Sequence, residues 1–357
     1  MRGALIGALV AAVALAGTPA RAAEKVVFGT GSAVSLTSAP VTMAMGMGFF
    51  KEEGLDVELQ PFRGGSGVLM PQIVNKSVLV GFPALDVLII ARQPGRDYMP
   101  LRFFYNMARI SIYELVVPEA SPIKRVADLR GKKIGVGALT WGSIPILKAL
   151  LKEEGLEVGK DVDLIAVGQG AGAYHAFASG QVDALDLFDV PHAELESLGA
   201  KIRRLPLKDK FVGLGSNSLI AHDDTLKSNP RMLAGFGRAI AKATVACETN
   251  MPACVRTFWQ QYPQLKPTQG TEEEKLANGV RILGTRLEKM LAFPPGGPQS
   301  FGEFPAQMWK EYVETLHAGG QTITKAIAIE TLYTNDLVPE FNKFDRAVII
   351  RAAKALK

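Results

Sequence analysis

Cysteine is nearly absent: the 357 residues hold two, Cys247 and Cys254, within CETNMPAC. Two sulfurs without neighbouring histidines cannot close a zinc site, so metal binding through them is set aside. In an oxidising compartment a pair this close, with Pro252 between, is expected to form a disulfide. Histidine is scarce too, and His175, His192, His222 and His317 show no metal-ligand spacing. The formal charge is +5, yet the basic residues are scattered with no block of like sign, which argues against nucleic acid as a partner. GQGAG (168–172) and GVGALTWG (135–142) both lack the full dinucleotide glycine spacing and its later acidic residue. GGSG runs on into Val-Leu-Met, so it is not a strand-turn-helix nucleophile elbow. No catalytic residue, cofactor or metal is expected. Met43, Met45 and Met47 alternate, but on a helix they do not share one face, so they are assigned to core packing.

After its first twenty residues the sequence has no apolar run long enough to span a bilayer. The opening itself carries Arg2, an alanine-rich run from Ala4 to Ala16, Pro19, and then Ala20-Arg21-Ala22. One positive charge, a short apolar core and a small-x-small site describe a secretory signal peptide over residues 1–22, cleaved after Ala22. Losing Arg2 and Arg21 would lower the formal charge from +5 to +3. No cysteine adjoins the site, so a lipid anchor is not expected.

The remaining chain alternates strand and helix signals, the mark of an α/β protein. Lys25–Gly29, Leu55–Phe62 and Val78–Phe82 read as strands. Pro40 opens a helix with Met43, Met47 and Phe50 at helical spacing, and Gly54 closes it. About a hundred residues later the grammar returns, with strands at Lys133–Gly137, Val162–Val167 and Val182–Phe188. FKEEGL (50–55) is echoed by LKEEGL (151–156). Leu214–Ala221 is one more strand, and the rest is largely helical, with Ser228-Asn229-Pro230 capping a long helix. The expected architecture is two lobes: 24–112 with 217–357, and 113–216 inserted between them. The chain would cross twice, near Ile112–Val117 and Leu214–Leu219. Such a double crossing makes a hinge, and ligands bind where the strands of open α/β sheets end.

Four stretches carry a resemblance: GFFKEEGLDVEL (48–59), ADLRGKKIGVGALTWGS (127–143), LLKEEGLEVGKDVDLIAVG (150–168) and ASGQVDALDLFD (178–189). They resemble the nitrate/sulfonate/taurine branch of periplasmic solute-binding proteins of ABC importers, which also includes binders of thiamine pyrimidine precursors. DLRGKKIGV is the most specific piece. In NKSVLVG (75–81), Leu79 replaces the acidic residue usual in that family. The resemblance implies a two-lobed type II periplasmic-binding-protein fold, its helical tail packed on the first lobe. It further implies a periplasmic monomer, with a small-molecule solute and an inner-membrane ABC permease as partners.

Candidate ligand contacts lie on loops that precede helices, where free N–H groups and the positive helix end favour an anion. In the first lobe these are Ser32, Ser35, Arg63, Gly65, Ser66, Phe82 and Ala84. In the second they are Thr140, Trp141, Gly142, Ser143, Gln169 and Gly170. The resemblance places the 140–143 loop at the ligand, although Thr140 and Ser143 could merely cap the helix and Trp141 pack locally. Arg63 is the one arginine of these loops and the natural counter-charge, or else a solvated loop residue. Asp189 either meets a ligand amine or caps the helix that Pro191 begins. Asn217, on the return strand, reaches the solute or is a buried satisfied amide. The expected solute is a small organic anion, such as a sulfonate or carboxylate, with a zwitterion favoured if Asp189 enters the cleft. A ligand-presenting sensor and a pyrimidine-type binder or enzyme remain the alternatives.

Overall fold

The computed structural model describes residues 22–357, so the signal peptide expected over residues 1–22 lies almost wholly outside the described residues. Ten strands are found among those described: β1 (Glu24–Thr30), β2 (Leu55–Pro61), β3 (Val80–Phe82), β4 (Leu101–Tyr105), β5 (Tyr113–Pro118), β6 (Lys132–Val136), β7 (Val162–Ala166), β8 (Ala184–Phe188), β9 (Ile202–Arg204) and β10 (Leu219–His222). They form two five-stranded sheets, ordered β2-β1-β3-β10-β4 and β7-β6-β8-β5-β9. In the first, β1 is parallel to β2 and β3, while β10 is antiparallel to β3 and β4. In the second, β6 is parallel to β7 and β8, while β5 is antiparallel to β8 and β9. The repeated grammar of the sequence is therefore one sheet plan used twice.

The helices that position the cleft are α1 (Ala39–Gly46), α2 (Ser66–Val74), α3 (Asp86–Ala91), α4 (Ser143–Glu153), α5 (Ala171–Ala178) and α6 (Asp189–Ser197). Beyond β10 come α7 (Pro230–Thr249), α8 (Met251–Gln261), α9 (Glu272–Met290), α10 (Ala306–Ala318) and α11 (Arg346–Lys354). Local chemistry sets their starts. Asn229 accepts the Met232 N–H ahead of Pro230, and Thr271 with Glu274 forms a capping box at α9. The tail packs on the first lobe, where α7 and α8 meet α1 and α11 meets α7. Two tail helices also reach the second lobe: α9 packs on α6, and α10 on α4. Cys247 lies in the last turn of α7 and Cys254 in the first turn of α8; both are fully buried, and their sulfurs are bonded at 1.97 Å.

Several segments differ from the sequence reading. The helix expected from Pro40 and closed by Gly54 is broken at Gly48, φ +77°, into Ala39–Gly46 and Phe49–Glu52, and β4, β5 and β9 stand where no strand was expected. The strand expected from Leu214 begins at Leu219, because 214–218 belongs to the return crossing and bonds to the outward one. There Ser216 N–H donates to the Ala108 carbonyl and Ala108 N–H to that of Asn217, at 2.9 and 3.2 Å. The helix expected from Pro83 begins at Asp86, since the Pro83 carbonyl accepts the Ser218 N–H and Ala84 N–H donates to Ser66 Oγ.

Replacing both cysteines by alanine should lower stability by roughly 2–3 kcal/mol on the chain-entropy estimate, read by denaturant unfolding. Mass spectrometry of protein from an oxidising compartment should find the chain two hydrogens lighter than its reduced form. Two alkylatable thiols in the unfolded, unreduced protein would contradict this.

Candidate functional site

The ends of β1, β3, β6 and β8 face one another across a cleft between the lobes. The cleft encloses about 40 Å³, room for a few water molecules. The first lobe contributes Gly31, Ser32, Thr37, Gly65, Ser66 and Phe82; the second contributes Trp141, Gly142, Ser143 and Phe188. Ile112, Tyr113 and Asn217 line it from the crossings, and Arg286 from α9.

The starts of α2 and α4 both abut this cavity, so their free N–H groups and positive ends face it. Glycine allows the two lobes to approach here. Gly65 has φ +75°, and a Cβ built on it would stand 2.5 Å from Trp141 Cδ1. A Cβ on Gly142 would run into Ala84 Cβ. The lobes also bond directly. Thr140 Oγ1 donates to the Gly64 carbonyl at 2.6 Å, and Gly67 N–H to the Thr140 carbonyl at 3.3 Å. Ala33 N–H donates to Gln169 Oε1 at 3.2 Å.

Arg286 is the charged side chain of the lining and is almost wholly buried, at 1% exposure. Its Nε and Nη2 donate to the two carboxylate oxygens of Asp189, at 3.0 and 2.5 Å, and the guanidinium lies 5.6 Å from the Phe188 ring centroid. Tyr113 donates its hydroxyl to Asn217 Oδ1 at 2.9 Å, and Asn217 Nδ2 donates to the Phe82 carbonyl. Trp141 packs beside Phe188, ring centroids 5.7 Å apart, with its Nε1 unpartnered. Two further acids are buried next to the cavity. Asp86 lies behind Gly142 and Ser66, and burial pushes its carboxyl up to about 8. Asp186 lies behind Ser143, and burial pushes its carboxyl up to about 7.

Of the sequence candidates, Ser32, Gly65, Ser66, Phe82, Trp141, Gly142, Ser143 and Asn217 come together at the cavity. Seven stand elsewhere. Ser35 caps the short turn that carries Thr37, and Ala84 lies behind the wall, bonded to Ser66. Thr140 and Gln169 are spent on lobe-to-lobe bonds, and Gly170, at φ +62°, starts α5. Arg63 is exposed and stands outside the lining. Asp189 is taken by Arg286, and its Oδ1 also accepts the Val190 N–H, so no free carboxylate enters the cleft there. The sequence reading missed Thr37, Tyr113 and above all Arg286. A usable signal existed for the last: Arg286 interrupts the buried stripe Ile282, Leu283, Leu287, Met290 of α9, and an arginine on a core stripe demands a buried partner.

The chain is similar to several known proteins. A Bacillus subtilis chain, YtlA, with a provisional binding-protein name, is 26% identical over 210 residues, covering 58% of this chain and 62% of that one. The 4-amino-5-hydroxymethyl-2-methylpyrimidine phosphate synthase of Aspergillus parasiticus is 31% identical over 265 residues, 70% of this chain and 72% of that one. The alkanesulfonate-binding protein SsuA of Xanthomonas axonopodis pv. citri, solved bound to MOPS, superposes with a TM-score of 0.65 at 17% identity, over 87% of this chain and 98% of that one. A family profile described as NMT1/THI5 like matches residues 36–250. With that match covering more than half its length, the chain belongs to the NMT1/THI5-like family and carries the two-lobed periplasmic-binding-protein fold.

Proposed function

We propose that this chain is the periplasmic substrate-binding component of an ABC importer, closing its two lobes on a small organic anion and delivering it to a membrane permease. One observation carries the reading: the cavity between the lobes presents donors. The starts of α2 and α4 offer backbone N–H groups, and Arg286 points its guanidinium into the same space. Asp189 occupies Nε and Nη2, and among the described residues Nη1 donates to no protein acceptor. Charged hydrogen bonds to an anion contribute about 1.5–3 kcal/mol each. The MOPS held by the sulfonate-binding relative is itself a sulfonate, in keeping with that class. The signal peptide expected from residues 1–22 supports export. A solute enters while the lobes are parted, and the lobes then close on it around this cavity.

The synthase relatives favour a second reading, a pyrimidine-type enzyme. Against it, the described lining holds neither histidine nor cysteine, and both cysteines are locked together. An assay for release of 4-amino-5-hydroxymethyl-2-methylpyrimidine phosphate separates the two; product formation would overturn the transport reading.

A thermal-shift screen of alkanesulfonates, aromatic sulfonates, carboxylates and taurine should yield a hit that adds about 2.7 kcal/mol at a hundred times its Kd. Scattering with that hit should show a smaller radius of gyration, and an unchanged radius would argue against closure. In calorimetry, Thr140→Ala should weaken binding about threefold to tenfold through its lost lobe-to-lobe bond. Arg63→Ala should leave binding unchanged. The pair replacement Arg286→Met with Asp189→Leu, chosen so that no lone buried charge remains, should abolish binding of the anion while the protein stays folded.

A further inference from the structure

Asp86 is the residue at the cleft with no role so far. It is fully buried and no other side chain bonds its carboxyl; the donors nearest it are the Asp86 and Val87 N–H groups at the start of its own helix. Its cover comes from both lobes. Ser66 and Ala84 of its own lobe stand on one side, and the second lobe closes the other with Gly142, on which a Cβ would sit 3.3 Å from Asp86 Oδ1. Gly142 is held there by the neighbouring Thr140–Gly64 bond. Parting the lobes withdraws Gly142 and admits water to the carboxyl.

The groups that face Asp86 bring it no cation. Tyr113 of β5 and Tyr312 of α10 are the titratable side chains that act on it, both buried and both held protonated by that burial. Asp186 and Arg286 act on Tyr113 one layer further out, and Arg286 is already matched by Asp189. A carboxylate left charged in this place would be an unpaired buried ion beside a cavity built to receive another anion.

Resting on the reading that the lobes close around a solute, we propose that closure takes up one proton from solvent onto the Asp86 carboxylate, so that solute and proton are captured together. The step is balanced: the open lobe carries a carboxylate and the closed lobe a neutral carboxyl, and opening returns the proton. The sign follows from the two environments. Below the ordinary value of 3.8 the group is protonated in both forms, and pH has no leverage. Between there and about 8, closing binds a proton, so each unit of rising pH weakens closure about tenfold. Alkaline surroundings release the solute and acid ones retain it.

Small-angle scattering on the mature chain without added solute, from about pH 5 to about pH 9, tests this. The radius of gyration of the parent should grow as pH rises. Asp86→Asn, a neutral side chain of the same shape, should stay compact across the range, with circular dichroism confirming its fold. Asp186→Asn, whose carboxyl is covered within the second lobe, should follow the parent. A flat parent profile, or an Asp86→Asn profile that moves with the parent, overturns the proposal. If the radius follows pH as described while the anion panel yields no ligand, the solute reading fails and the proton linkage stands. A ligand that shrinks the radius equally at both ends of the range leaves the solute reading intact and sinks the linkage.

Discussion

The Arg286–Asp189 pair is the contact on which the cleft is built. A guanidinium at 1% exposure is tolerated only with a partner that answers its geometry, and both oxygens of Asp189 do so. Because Arg286 sits on α9 and Asp189 starts α6, the pair fixes a tail helix against the second lobe at the end of β8. The rest follows through contact. Phe188, the last residue of β8, lies under the guanidinium and packs Trp141, which in turn leaves room only for a glycine at position 65 across the cleft. A buried ion pair thus sets the spacing of an aromatic wall, and that wall sets how closely the lobes can meet.

This pair also shows where reading the sequence stops. The parallel strands of both sheets were legible, since they write themselves as apolar runs alternating with helices, and here the pattern appears twice; β4, β5 and β9, the first two beside the outward crossing and the last beside the return, were not read as strands. The loops at the strand ends were legible for the same reason, which is why Ser66, Phe82, Trp141 and Ser143 were found. Partners were not. Arg63 is a loop arginine in the right neighbourhood, but it points to solvent, whereas Arg286 lies mid-helix in RILGTRLEKM, 97 residues from Asp189. Thr140 looked like a donor awaiting a solute, and its acceptor is the Gly64 carbonyl, 76 residues away. Residue type reveals what a group can do; only the fold decides what stands opposite it.

The tail, too, is more than a coat on the first lobe. By packing α9 on α6 and α10 on α4, it bridges the two lobes, and the Lys289 carbonyl of α9 accepts the Arg109 N–H of the outward crossing. Arg281 adds a bond to the Ala193 carbonyl and an ion pair with Glu196 on the same helix. Hinge motion therefore has to slide these surfaces as well as bend residues 106–112 and 205–218. Polar contacts near the surface suit such sliding, since they exchange for water at little cost.

The sheet order has a consequence for how the chain reaches its fold. β4 and β10 are neighbours in the first sheet, yet residues 106–218 lie between them. Closing a flexible loop of that size costs on the order of 4 kcal/mol of chain entropy. The second sheet is made wholly from 113–204, with no strand borrowed from outside. Once that sheet has assembled, the paired crossings at Ala108 and Ser216 already stand side by side, and the first sheet inherits a short gap in place of a long one. The inserted lobe thereby acts as the template on which the outer lobe, begun first by the ribosome and finished last, is completed.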